Sequence, residues 1–277
     1  MSGRYLERES CVVSHRLIIC TVCGEILRVP IRCHSRICPE CNWIRQQELI
    51  KKYRPAVRFM KSGNPFFLTL TLKNVPEDAL AEGFHRIAVA FGKLRHRKPY
   101  SDWWSGGFYA IETTFNFESR TWNVHMHACI DSSVDLEKSP SMYNRKDTKN
   151  SRLSKDWLSV TGDSFVVRWE KCRYPSSALR YVLKYITDPG KLWSLKIHEE
   201  VINKALKNFR TLRTFGVCYN FTAVEIKLSL CPNCGSLRSL ELIAYSELSC
   251  FNNYKPFIVS GVIDRPPPSR NQVLEVF

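Results

Sequence analysis

The sequence predicts an α+β fold built on a mainly antiparallel sheet. Two observations carry that expectation: strand-like and helix-like segments alternate irregularly, and a long hairpin stands near the middle of the chain.

The elements can be justified in order. Residues 43–60 (WIRQQELIKKYRPAVRFM) read as a basic helix up to the break near Pro55. Phe66–Leu72 (FFLTLTL) reads as a strand, with Phe66, Leu68, Leu70 and Leu72 on one face and Phe67, Thr69 and Thr71 on the other. Over residues 77–94, Leu80, Phe84, Ile87, Phe91 and Leu94 recur at spacings of three and four, which predicts an amphipathic helix. Residues 107–130 predict the hairpin, with strands GFYAIETTF and TWNVHMHACI about a turn near Glu118 and Ser119. A short helix is expected at 154–160, with Ser154 as its N-cap. A strand (FVVRWE) and a helix (SSALRYVLKYIT) follow, the helix ending at Asp188-Pro189-Gly190. An amphipathic helix is expected at 194–209 and strand-like runs at 214–228 and 237–246. Residues 139–152 read as a basic surface loop, and Pro266, Pro267 and Pro268 keep the tail from Asp264 out of helices and central strands.

The 277 residues suit one large domain, or one domain with a small appendage. With 41 Lys and Arg against 26 Asp and Glu, the formal charge is +15, which points to a polyanionic partner. A hydrophobic fraction of 44% argues against a mainly disordered chain. No apolar run is long enough for a membrane helix, and the polar start MSGRYLERES does not resemble a secretory signal. A cytoplasmic location without membrane contact is therefore expected, and there clustered cysteines hold metal more often than they form disulfides.

Of the 12 cysteines, six lie in the first 41 residues. Cys20-Thr-Val-Cys23-Gly and Cys38-Pro-Glu-Cys41 are paired C-x-x-C knuckles of the kind that turn four thiolates onto one tetrahedral zinc, and Cys33 is a fifth candidate. A structural zinc would hold together a module too short to build its own core. The helix behind it carries Arg45, Lys51, Lys52, Arg54 and Arg58, either as a DNA contact or as a solvated face. Cys231-Pro-Asn-Cys234-Gly is a further knuckle and a candidate second zinc site, with Cys218 or Cys250 to complete it.

On the second hairpin strand, Val124, Met126, Ala128 and Ile130 form one apolar face, while His125, His127 and Cys129 point the other way. Two imidazoles at i and i+2 project in parallel, as a shared ion requires, although paired histidines also occur by chance on polar sheet faces. A turn centred on Glu118 and Ser119 sets Glu112 opposite His125. One carboxylate and two imidazoles with open positions suit Mg²⁺ or Mn²⁺ acting on a phosphate. A slip of one residue would turn Glu112 to the other face.

Tyr181 and Tyr185 lie at i and i+4 on the predicted helix and share one face, as a packed aromatic stripe would. Beside a metal site in a basic protein, a tyrosine oxygen can also attack a phosphodiester, leaving a phosphotyrosine and a free hydroxyl end.

FFLTLTLKN, IETTFN, HMHACI and YVLKY, in that order, resemble the His-hydrophobe-His superfamily of replication initiators, above all the Rep proteins of rolling-circle plasmids. Cys23-Gly, then Cys33-x4-Cys38-Pro-x-Cys41 and a Trp-containing basic helix, resemble their front end; the likeness spans about residues 20–217. It implies a ferredoxin-like (RRM-like) antiparallel sheet flanked by helices. It also implies site-specific nicking and joining of single-stranded DNA, with His125 and His127 as metal ligands and Glu112 as the third. Many plasmid Rep proteins carry Glu four residues before one catalytic Tyr; here Tyr181 takes that place and Tyr185 the nucleophile position, next to Lys184 as a phosphate contact. The Y-x3-Y pattern is similar to that of phage gene A proteins and related transposases. The family's zinc pattern favours Cys23, Cys33, Cys38 and Cys41, whereas the knuckle spacing favours Cys20, Cys23, Cys38 and Cys41.

The expected organisation is a zinc-binding basic module at 1–60, a nicking domain at 61–217, and a C-terminal extension at 218–277. The sequence contains no G-x-x-x-x-G-K-[ST] loop, so unwinding is expected to need a host helicase, and synthesis a host polymerase, at the origin DNA. A two-tyrosine transposase and a non-catalytic zinc-dependent DNA-binding regulator are the competing readings.

Overall fold

The computed structural model describes residues 11–139, 141–144, 148–172, 178–183, 195–219, 231, 233–236 and 240–246. The chain divides into two units, residues 1–41 with 224–277 and residues 42–223. Whereas the expected organisation follows chain order, the first unit joins an early segment of the chain to a late one.

In that unit β1 (Val12–Cys20) and β2 (Ile26–Arg32) form an antiparallel hairpin, and a late strand, β9 (Leu240–Ser246), pairs with the other edge of β1. The sequence reading does not anticipate β1 and β2. Among the described residues a buried apolar cluster joins Ile18, Leu27 and Val29, and the hairpin lacks the long alternating signature of a strand over a large core.

The second unit is a sheet in the order β7-β3-β6-β5-β8, antiparallel throughout, with the short β4 (Val75–Pro76) also paired to β6. Its strands are β3 (Phe66–Thr71), β5 (Trp104–Asn116), β6 (Thr121–Ser132), β7 (Val167–Lys171) and β8 (Leu212–Gly216). Helix α2 (Leu80–Arg95) connects β3 to β5, and α4 (Arg152–Thr161) connects β6 to β7. This is the βαββαβ order of the ferredoxin-like fold, with β8 added outside β5. Strand β3 alternates buried and half-buried residues, as FFLTLTL predicts. Leu68, Leu70, Val124, Met126, Ala128 and Ile130 are buried on one face, and the apolar stripe of α2, from Leu80 to Leu94, is buried too. Gly83 allows the close approach: a Cβ there would lie 3.1 Å from Val124 Cγ2.

Among the described residues, the opposite face is covered only in part. Helix α1 (Pro39–Tyr53) runs into a 3₁₀ segment, Arg54–Phe59, at the expected proline break. Leu49, Ile50, Tyr53, Val57 and Met60 pack with Phe108, Ala110, Cys129 and Leu212, together with the helical run 178–183. The described residues also include the short α3 (Tyr100–Trp103) and α5 (Glu199–Leu206), the latter preceded by a 3₁₀ turn at Lys196–His198. No described helix is long and apolar enough to cross a membrane.

Some local expectations need correcting. Ser151, not Ser154, caps α4: its backbone is extended and its hydroxyl accepts the Ser154 N–H. Ser154 is buried instead, with its hydroxyl on the Phe165 carbonyl. The basic loop 139–152 is anchored by buried Met142 and Tyr143, whose hydroxyl accepts the Trp169 N–H at 3.1 Å. The second part of the 214–228 run, the start of the 237–246 run and the proline-rich tail lie outside the described residues.

Candidate functional site

The cysteines form two quartets, Cys11, Cys33, Cys38 and Cys41, and Cys20, Cys23, Cys231 and Cys234, each with its sulfur atoms within 4.8 Å of one another. Neither set expected from sequence survives, because Cys20, Cys23, Cys33, Cys38 and Cys41 do not share one site. The hairpin is the reason. Val12 pairs with Arg32 and Ile19 with Ile26, so Cys11 and Cys33 stand at its open end and Cys20 and Cys23 at its turn. Those ends are roughly 30 Å apart at about 3.3 Å per residue. β9 returns Cys231 and Cys234 to the turn end, since Leu240 pairs with Cys20. The late knuckle is thus completed by Cys20 and Cys23. Cys218 lies in the other unit, with its thiol on the Ala56 carbonyl, and Cys250 is outside the described residues.

The two knuckles of the second quartet share one backbone design. Gly24 N–H donates to Cys20 O, and Gly235 N–H to Cys231 O; Cys20 N–H donates to Glu25 O, and Cys231 N–H to Ser236 O. Gly24 and Gly235 have φ of 73° and 67°, a left-handed turn that glycine adopts without strain. Sulfurs about 2.3 Å from one tetrahedral zinc stand about 3.8 Å apart. The observed spacings are 3.8 Å for Cys20–Cys234, 3.7 Å for Cys23–Cys231, 3.6 Å for Cys11–Cys41 and 3.7 Å for Cys33–Cys41. The quartets therefore fit zinc. Backbone N–H groups of Cys23 and Val22 hold the Cys20 thiol down to about 7, ready to bind as thiolate. Burial, with the neighbouring Cys11 thiol, pushes the Cys41 thiol up. Cys11, which the sequence reading leaves unassigned, is held by Glu40, which accepts its backbone N–H at 3.0 Å and the Arg32 guanidinium at 3.0 Å.

On the second unit, Glu112 pairs with His125, the register set by the turn. Glu112, His125 and His127 therefore share the face opposite α2. Glu112 Oε2 lies 3.0 Å from His127 Nε2, and their side chains are 5% and 13% exposed. Two ligands at right angles, each about 2.1 Å from an octahedral ion, also stand about 3.0 Å apart. The His125 ring centroid is 6.3 Å from that of His127. The three groups are less tightly gathered than the cysteine quartets, which are the only clusters with three donor atoms within 4.8 Å among the described residues. Two imidazoles and one carboxylate are donor groups that a divalent ion can share.

Two threonines extend the face, and the sequence reading assigns them no role. Thr69 Oγ1 is 3.2 Å from His127 Nδ1, and Thr71 Oγ1 is 3.0 Å from His125 Nδ1. The available signal was the alternation in FFLTLTL, which sets both hydroxyls on one strand face. Tyr181 lies over the far end of that face, its ring 4.4 Å from Phe67 and 39% exposed. Lys184 and Tyr185 lie outside the described residues. Cys129 and Cys172 are buried there, and the hydrogen bond between them raises the Cys129 thiol. Lys51, Lys52, Arg54 and Arg58 are exposed beyond α1 and at its end.

A family model described as a replication protein matches residues 25–230. Among similar proteins, Protein rep of Streptococcus pneumoniae serotype 2 is 30% identical over 39% of this chain and 39% of its own length. Protein rep of Lactiplantibacillus plantarum is 31% identical over the same shares, and that of Staphylococcus aureus 30% identical over 35% of this chain and 44% of its own. The chain thus spans about two-fifths of the length of the curated relatives it matches. No solved structure matches it.

Proposed function

The chain belongs to the replication protein family, and from that membership we propose that it initiates rolling-circle plasmid replication by nicking and rejoining single-stranded DNA through a phosphotyrosine. The observation that carries this reading is the shared strand face of Glu112, His125 and His127 with the Tyr181 helix over its other end. A bound Mg²⁺ or Mn²⁺ would supply charge neutralisation to a phosphodiester there.

Tyr185, at the nucleophile position, attacks the phosphorus; the P–O3′ bond breaks, the 5′-phosphate passes to the tyrosine oxygen, and the 3′-oxygen leaves as a hydroxyl that primes synthesis. Tyr181 attacks the regenerated site after one round of copying and releases the displaced strand. Lys184 holds a phosphate. Exposed basic groups on and beyond α1 contribute DNA affinity. The cysteine quartets hold structural zinc, and host helicase and polymerase extend the primed strand.

Incubation of the zinc-loaded protein with labelled single-stranded origin DNA and Mn²⁺, resolved on a denaturing gel, tests this. A covalent protein–DNA band lost in Tyr185→Phe supports it; DNA binding with no covalent band supports a non-catalytic regulator instead.

A further inference from the structure

Thr69 and Thr71 are alternate residues of β3, and they face His127 and His125, alternate residues of β6. A single hydroxyl beside an imidazole is commonplace. Here one strand register delivers two such contacts, at 3.2 and 3.0 Å, both to Nδ1. Each ring is therefore held on its Nδ1 side, and for His127 the Nε2 side meets Glu112 at 3.0 Å. We infer that Thr69 and Thr71 are positioning residues of the metal site, fixing the two imidazoles through Nδ1 so that a divalent ion would be taken at Nε2. This inference rests on the metal reading given under Proposed function.

The choice of hydroxyls has a chemical consequence. Without metal, a neutral His127 donates from Nε2 to the Glu112 carboxylate, so Nδ1 must accept, and Thr69 donates to it. With Nε2 given to a metal, the proton resides on Nδ1, and Thr69 accepts it. A carbonyl or carboxylate in place of Thr69 serves only the second state, because it has no proton to donate. A hydroxyl keeps its hydrogen bond in both, so the ring can change tautomer without losing its support. That suits a weakly held, exchangeable ion such as Mg²⁺ or Mn²⁺ rather than a permanently bound zinc. Valine would preserve shape and strand preference but offer neither role.

The test uses the full chain, zinc-loaded, with ¹⁵N-labelled histidine. In the wild type the His127 ring should carry its proton on Nε2 without metal and on Nδ1 with saturating Mg²⁺. Thr69→Val and Thr71→Val should each weaken Mn²⁺ binding, measured by calorimetry, about 10–100-fold. Each should also shift the Nδ1 resonance of its own histidine in metal-free protein, and Thr69→Ser and Thr71→Ser should restore both properties. Should the valine variants fail to fold, Thr69→Ala and Thr71→Ala take their place, and persistence of Nε2–H in the wild type under saturating Mg²⁺ overturns the inference. Wild-type Mn²⁺ binding with folded valine variants unaltered in affinity and Nδ1 shift overturns the threonine role alone. Wild-type protein whose Mn²⁺ binding is absent, or indifferent to His125→Ala with His127→Ala, overturns the metal reading and the inference together.

Discussion

Replacing Cys20 and Cys231 together by serine should remove one zinc ion from the chain, whereas replacing Cys20 and Cys38 together should remove both. The difference comes from the grouping of the sulfurs. Cys20 and Cys231 belong to one quartet and Cys38 to the other, and the hairpin holds the two quartets roughly 30 Å apart. Sulfur spacings of 3.6–3.8 Å in both quartets already match a tetrahedral zinc–thiolate site, so each should fill without rearrangement. Wild-type protein should therefore retain about two zinc ions per chain, and Cys20→Ser, Cys231→Ser or Cys38→Ser alone about one after dialysis against a mild chelator. The within-quartet double variant loses nothing further because its site is already broken, while the between-quartet effects add. Plasma mass spectrometry of purified protein, cross-checked by native mass spectrometry, reads the stoichiometry. Cys11→Ser is the sharpest single variant, since no knuckle spacing includes it; it should cost one zinc. If the Cys20→Ser, Cys38→Ser double variant keeps one zinc while the Cys20→Ser, Cys231→Ser variant keeps none, the quartet assignment is wrong.

His125→Ala and His127→Ala should each abolish cleavage while leaving most DNA affinity, since Lys and Arg contacts to phosphate supply that affinity; full nicking by the double variant would refute the metal face. Tyr185→Phe should lose the first covalent adduct, whereas Tyr181→Phe should nick and then fail in strand transfer, and normal transfer by Tyr181→Phe would leave Tyr185 acting alone. Leu70→Ala, which opens a hole on the buried side of the strand carrying Thr69 and Thr71, should cost about 2–5 kcal/mol in urea unfolding. Ser151→Ala should cost about 1 kcal/mol through loss of the α4 cap, with Ser154→Ala acting through loss of the buried hydrogen bond to the Phe165 carbonyl instead, and thermal melts measure each.

Local pattern was enough wherever one strand or one turn carried the information. The alternation in FFLTLTL and HMHACI sorted apolar from polar faces, and the turn at Glu118 and Ser119 brought Glu112 opposite His125, because a hairpin register depends only on residues within it. The α2 stripe from Leu80 to Leu94 was legible for the same reason. Ser154 was misread as a cap because serine suits both caps and buried hydrogen bonds, and only the path of the chain before α4 separates them. The three C-x-x-C knuckles pointed to metal by spacing alone, but spacing does not say which knuckles meet. That was decided by β9 pairing with β1 across more than 200 residues, so that Cys231 and Cys234 join Cys20 and Cys23, and by a hairpin that carries Cys11 back to Cys33. Likewise the pairing of β3 with β6, which no local pattern encodes, turned two strand threonines into partners of His125 and His127. Sequence by itself determined the residue types and the face each one occupies; which faces meet was decided by long-range strand pairing, because ligand geometry is a property of atoms brought together by the whole fold.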